Sequence, residues 1–355
     1  MKKVFTLICL ILASIIGAGF ASGKEIEVFF SRYGTISIIA IALSFILFVV
    51  LLILYLTFGK KYNTNNLFET NQLLFGKCSI IINCFVLVSY SIVLSGMLAG
   101  VYELYLNISN PVIAKLLVLV TAVLCVIENS GGMKSIYLIN NIFIPITIII
   151  LIVSACIKGN GIYCGDILIG LDKLLPCSLS AICYVSINLM LTGNILIKEG
   201  KKYTKRQIIV SAVISSFILV VIIFLFNNVI LDMNISSQMP MLTLAFNINY
   251  WWGIVVLICI WFCVYSAITS ITYILADCFG GNNAMITNLI IITISYIISL
   301  FGFGKIVEYL YPIIGVFGIL FSCAIILKLV KKSSTMPTAM QNVKKLRNKA
   351  KNKQY

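Results

Sequence analysis

Three glycines within seven residues, Gly17, Gly19 and Gly23, interrupt an apolar run, and Lys24, Glu25 and Glu27 follow at once. Glycine serves where backbone leaves helical geometry or comes close to a ligand. The uncharged run before it, Val4 to Ile16, makes only about 20 Å of helix, short of a ~30 Å hydrocarbon core. Non-helical backbone at membrane depth survives only if it is buried in protein or lines a wet cavity. An unwound Gly17–Gly23 stretch would offer freed N–H groups to an anion and freed carbonyls to a cation, which together suit a zwitterion. The candidate binding residues here are Gly17, Ala18, Gly19, Phe20, Ser22 and Gly23. Two other readings stay open: a cleavable signal peptide led by Lys2-Lys3, and a small-residue face for helix packing.

Other residues carry chemistry by type and spacing. Ser266, Thr269 and Ser270 fall on one face of a helix. Their hydroxyls, with the carbonyls of Ala13 and Ile16, make an oxygen set suited to sodium; ordinary Ser/Thr helix packing is the alternative. Glu25 is an ionisable group at membrane depth, hence a candidate proton carrier. Lys24 and Glu308 both fall near outer span ends, where an ion pair can close a gate; each can equally be solvated.

These residues must be positioned by a membrane-embedded bundle. Of 355 residues, 61% are hydrophobic and 10% charged, with a mean hydropathy of +1.09. That balance excludes a soluble domain and points to an all-α polytopic membrane protein. Histidine is absent, which removes the commonest metal ligand. Nothing resembles a nucleophile with its base, so no enzyme and no cofactor are expected beyond a coupling ion. Several of the twelve cysteines lie singly in apolar segments, as small fillers.

About ten spans follow from the hydrophobic segments: Val4–Phe30 (broken), Gly34–Leu56, Cys78–Leu104, Pro111–Ile127, Lys134–Ile157, Leu174–Ile197, Ile208–Leu231, Trp251–Ala276, Ala284–Phe301 and Ile306–Val330. Tyr33, Tyr105, Tyr311 and Trp251-Trp252 lie near span ends, as belt aromatics do. With the N-terminus inside, only Lys24, Arg32, Lys115, Lys158, Lys173 and Lys305 of the 26 Lys and Arg fall outside. Both termini are therefore expected in the cytoplasm, at a cell membrane crossed many times. The net charge of +15 is thus a topology signal that can also serve contact with anionic lipid, not a nucleic-acid surface. Residues 1–330 read as the bundle and 331–355 as a basic cytoplasmic tail. Asp232–Asn249, with Pro240, is expected outside and can form a short capping or re-entrant helix.

Spans one to five and six to ten have similar lengths, and an odd number per half gives a 5+5 inverted repeat with discontinuous helices at the midplane. On that scheme span six breaks like span one, near Ser186, Asn188, Gly193 and Asn194.

Ile16-Gly17-Ala18-Gly19-Phe20-Ala21-Ser22-Gly23-Lys24-Glu25-Ile26, with Phe29-Phe30 and Tyr33-Gly34, resembles the opening signature of the YkvI-like bacterial membrane proteins. Tyr184-Val185-Ser186 with Asn188-Leu189 resembles their sixth-span segment, although Ile187 replaces an aromatic residue and Gly193-Asn194 a proline. That family is similar to the amino acid–polyamine–organocation transporters, which share the leucine-transporter fold. The resemblance implies that Tyr184, Ser186 and Asn188 join the substrate site, and that the sodium oxygens pair spans one and eight. The expected function is a secondary transporter of a small amino acid or amine by alternating access, as a sodium symporter. The alternative is a ligand-sensing receptor subunit on the same fold, like those of spore germination receptors. Oligomeric state is not legible.

Overall fold

A computed structural model of the chain describes residues 2–64, 67–129, 133–158, 171–233, 235, 237–279 and 284–331. All but the first residue of the expected basic tail lies outside them. Six described stretches are long and apolar enough to cross a bilayer: Ser31–Tyr62, Leu67–Leu106, Lys173–Gly200, Lys205–Asp232, Tyr250–Leu275 and Phe303–Val330. Pro111–Cys125, Pro145–Lys158 and Leu289–Ser299 are shorter apolar helices. The molecule is a multi-pass membrane protein, and its described elements are helical.

The first span is broken twice. Helix α1 (Lys2–Ile15) gives way at Gly17, whose extended backbone (φ −107°, ψ −163°) turns its N–H to the Ile15 carbonyl at 3.0 Å. An α-helix would send that N–H to the Ala13 carbonyl, which is thereby released from the ladder. A single helical turn, α2 (Ala18–Ser22), then ends at Gly23, where φ is +81° and glycine avoids the Cβ penalty of the left-handed region. Helix α3 (Lys24–Phe29) completes the crossing.

Helix α4 (Ser37–Tyr62) follows a 3₁₀ segment, Ser31–Ile36, tied down by Asn227: its Oδ1 accepts from the Ser31 hydroxyl and its Nδ2 donates to Ser37 Oγ, both at 2.9 Å. Next come α5 (Leu67–Phe75), α6 (Ser79–Leu106), α7 (Pro111–Asn129), α8 (Met133–Lys158) and α9 (Leu171–Gly200). A Thr204–Gln207 capping box, with both reciprocal hydrogen bonds made, starts α10 (Lys205–Asp232). The short helix expected near Pro240 forms as α11 (Pro240–Ile248), with proline in its first turn. Then α12 (Tyr250–Phe279), α13 (Ala284–Ser299), a turn α14 (Phe303–Lys305) and α15 (Tyr311–Val330) complete the described chain.

The expected break in span six is corrected: α9 is continuous from Leu171 to Gly200. Two of its polar side chains bond to their own helix, Asn188 Nδ2 to the Tyr184 carbonyl at 2.9 Å and Thr192 Oγ1 to the Asn188 carbonyl at 2.8 Å, while Asn194 Nδ2 donates to the Tyr90 hydroxyl of α6 at 3.2 Å. Gly193 serves packing, because a Cβ there would lie 2.7 Å from the Tyr55 ring. A widened π turn appears instead in the last span, at Ile306–Leu310. Pro312 follows it and has no N–H to offer the Glu308 carbonyl, so the ladder must open there.

Packing sorts the helices into two groups. In one, α4 packs on both α9 and α10, and α15 lies along α9. In the other, α12 and α6 pack on each other and on α7 and α13. Span one sits at the centre: α1 lies against α8, α9 and α10 with Leu7 through Ala13 buried, and α2 is wedged between α6 and α12.

Candidate functional site

A cavity of about 50 Å³ lies where the two groups meet, directly beside the break at Gly17. Its walls come from Ala13, Ser14, Ile15, Gly17 and Glu25 of span one, Val93 and Met97 of α6, Ala267, Ser270, Ile271 and Ile274 of α12, and Tyr311. Helix α9 adds Ile187, Asn188, Leu191, Thr192 and Ile195, a stripe with helical spacing. Space of this size holds about three to five waters or a solute of a few heavy atoms. Beside it Tyr90 of α6 donates to the Leu191 carbonyl of α9 at 2.6 Å, a hydrogen bond across the two groups.

Glu25 is the charged side chain of this lining. It is 8% exposed, and its Oε2 has no hydrogen-bond partner among the described residues. The carboxyl folds back over Gly19, where a Cβ would collide with it, so glycine at position 19 makes room for the acid. The last turn of the site is shaped by another glycine: a Cβ on Gly96 would sit 3.0 Å from the Tyr311 hydroxyl. Tyr311 is therefore buried against α6 and lines the cavity, which corrects its expected place in an interfacial belt. The π turn lies just before it.

The structure brings together Ala13, Gly17, Glu25, Asn188 and Ser270 from the expected sites. Ala18 packs towards Gly100, Phe20 against Phe226 at 6.3 Å, and Gly23 against Met241 of α11. Ser22 donates to the Gly19 carbonyl at 3.2 Å and accepts the Lys24 N–H at 3.3 Å, a local turn contact. Tyr184 stands in an aromatic cluster, 5.5 Å from Phe29, 5.0 Å from Phe30 and 6.1 Å from Phe48. The Ser186 carbonyl faces Gly318 of α15. These residues support the walls and are not part of the lining.

Of the oxygen set, Ile16, Ser266 and Thr269 are buried just behind the cavity, while Ala13 and Ser270 border it. Thr269 Oγ1 donates to the Ser266 carbonyl at 2.9 Å and Ser270 Oγ to the same carbonyl at 2.8 Å. With their protons committed to the backbone, both hydroxyls keep lone pairs for a cation. The Lys24–Glu308 pair is corrected. Lys24 Nζ meets Glu27 Oε2 at 2.9 Å and the Ser237 carbonyl at 3.2 Å, and Glu308 is exposed. Glu27 wins because it lies one turn away on the same helix face.

Sequence reasoning missed Met97, Tyr311 and the lower α9 stripe. The signal for the last was present: Thr192 and Ile195 continue the helical face of Asn188, and only the expected break hid it.

No protein-family model matches the chain. It is 26% identical over 333 residues to the uncharacterized membrane protein YkvI of Bacillus subtilis (strain 168), spanning 89% of this chain and 93% of that protein. This is the relative to which the Gly17–Glu25 signature points. Among solved structures, the chain resembles MHP1, a nucleobase-cation-symport-1 family transporter in a closed conformation with bromovinylhydantoin bound, with a TM-score of 0.57. That match is 15% identical and covers 90% of this chain and 75% of MHP1. It also resembles the substrate-bound outward-open state of a Na+-coupled sialic acid symporter, with a TM-score of 0.59 and 15% identity, over 93% of this chain and 79% of the symporter. The fold is thus one found in membrane transporters, and none of these three proteins is described as an enzyme.

Proposed function

We propose that the protein is a secondary active transporter that moves a small amino acid or amine by alternating access, coupled to sodium. The observation that carries this reading is the interruption of span one at Gly17, opening into a cavity between two helix groups that is mainly apolar with Glu25, Asn188, Thr192 and Ser270 in its lining. A site placed between two packed bodies is exposed to either side when one body rocks against the other, which is the geometry alternating access needs. The two structural neighbours are transporters, and one is Na+-coupled. On this reading the helices form a leucine-transporter-like 5+5 repeat within the amino acid–polyamine–organocation superfamily, and both termini are cytoplasmic. The Ala13 and Ile16 carbonyls with Ser266, Thr269 and Ser270 then hold the sodium ion, since sodium prefers hard oxygen ligands and span one meets α12 here. Substrate would contact Gly17 and Asn188, with Ser186, Tyr184 and the Ala18–Gly23 turn holding those walls in place.

The test is uptake by purified protein in proteoliposomes. Radiolabelled small amines and amino acids should accumulate under an inward sodium gradient and stop accumulating when the gradient is collapsed. Uptake of none of them under a sodium gradient, by protein shown to be folded, would refute the proposal.

A further inference from the structure

We propose that Glu25 is the counter-charge for a primary ammonium group, so that the cavity takes a small amine lacking a carboxylate. The inference deepens the transporter reading by choosing between its two substrate classes, and it rests on that reading for the idea that the cavity is a substrate site.

Three observations support it. First, the carboxyl of Glu25 is more than nine-tenths buried, borders the cavity and keeps Oε2 without a hydrogen-bond partner among the described residues. Leaving a buried acid unpaired is costly, and a bound cation offsets that cost. Second, among the described residues no lysine or arginine lines the cavity to receive a carboxylate. The neighbouring Lys24 is committed to Glu27 and the Ser237 carbonyl. Third, the backbone at the break offers partial charges and no full positive charge. Gly17 spends its N–H on the Ile15 carbonyl, and α2 has only five residues, too few for a strong helix dipole. An amino acid would therefore place its carboxylate in a small space already holding Glu25, with only the proposed sodium ion to offset it. An alkylammonium places only its N–H donors there, with Ser14 and Thr192 as further oxygens and Met97 and Ile187 against its carbon chain. The cavity of about 50 Å³ suits a molecule the size of ethylammonium.

The test compares ethylammonium with alanine, which add the same ammonium group without and with a carboxylate. Both are titrated onto the purified full-length protein in sodium buffer and read by thermal shift, since a ligand stabilises by RT ln(1 + [L]/Kd). Ethylammonium should bind at least ~10-fold more tightly than alanine, and E25Q should weaken ethylammonium binding at least ~10-fold at a near-normal melting temperature. E25D should retain part of the binding, and it substitutes for E25Q if the amide fails to fold. Alanine binding as tightly as ethylammonium, equal binding of ethylammonium by E25Q, or no shift with either compound would overturn the inference. Ethylammonium binding that requires Glu25 but is not followed by uptake in proteoliposomes would keep this inference and remove the transporter reading instead.

Discussion

Helix α9 makes two kinds of contact on its two faces. On one it lies backbone to backbone against its neighbours: Cβ atoms added at Gly318 and Gly315 of α15 would meet the Ser186 and Cys183 carbonyls, and one at Gly59 of α4 would meet the Ile197 carbonyl. Gly200 of α9 returns the arrangement, lying on the Leu56 carbonyl. On the other face, Asn188, Leu191 and Thr192 stop short of α1, α6 and α12 and leave the cavity. Glycines occur in both regions for different reasons. In the seam they let two backbones approach, and a rigid carbonyl blocks any side chain. At the cavity, a Cβ on Gly17 would meet only the flexible end of Met97, at 3.2 Å, and the Ala267 methyl at 3.8 Å. Gly17 also has an extended backbone that other residues adopt without strain. One region is solid and structural, the other hollow and free to bind.

That contrast can be broken most sharply at the seam. Gly318→Ala puts a methyl group on the Ser186 carbonyl, 2.6 Å from its carbon, and neither backbone can yield. The expected loss is about 1–3 kcal/mol or more, read as a lower melting temperature and less monodisperse protein in detergent. An unchanged melting temperature would erase the distinction between the two faces.

A smaller effect is expected beside the cavity. Thr269→Ala removes one oxygen of the proposed sodium set and a hydrogen bond to the Ser266 carbonyl. Sodium-dependent ligand binding should weaken at least ~10-fold, about 1.4 kcal/mol. Ligand binding that is independent of sodium in the unmodified protein would end the assignment of these hydroxyls.

The smallest effect belongs to Lys24. Its pair with Glu27 is one turn long and sits partly exposed in the last helix of span one. Lys24→Ala should change stability by only about 0–1 kcal/mol, measured by thermal unfolding, with ligand affinity intact. A large loss of affinity would mean that the start of α3 at Lys24 belongs to the site.

Much of the architecture is legible in the sequence, because composition alone demands membrane helices, and the short apolar run before three close glycines points to a break in the first of them. Glu25 is legible too, as an acid in a segment where acids are costly. What escapes is decided by contacts distant in the chain. The break assumed in α9 was inferred from symmetry with span one, yet Ser186, Asn188 and Thr192 are polar residues that a helix can satisfy through its own carbonyls. Tyr311 looked interfacial from its position near a span end, and only Gly96, more than two hundred residues earlier, explains its burial. The Lys24–Glu308 pairing failed because a shared membrane depth does not specify side-chain direction, whereas a one-turn spacing on one helix does.

The central claim is that the cavity at the break in span one is the substrate site, and Gly17→Ala tests it most directly. Ligand affinity and melting temperature are measured side by side on the variant and the unmodified protein, using whichever amine or amino acid the latter binds. The account predicts that binding falls at least ~10-fold while the melting temperature stays near normal, because the added methyl projects towards Met97 and the cavity and strains no backbone. Affinity retained with a lowered melting temperature would contradict it, and would make Gly17 a packing residue like those of the seam.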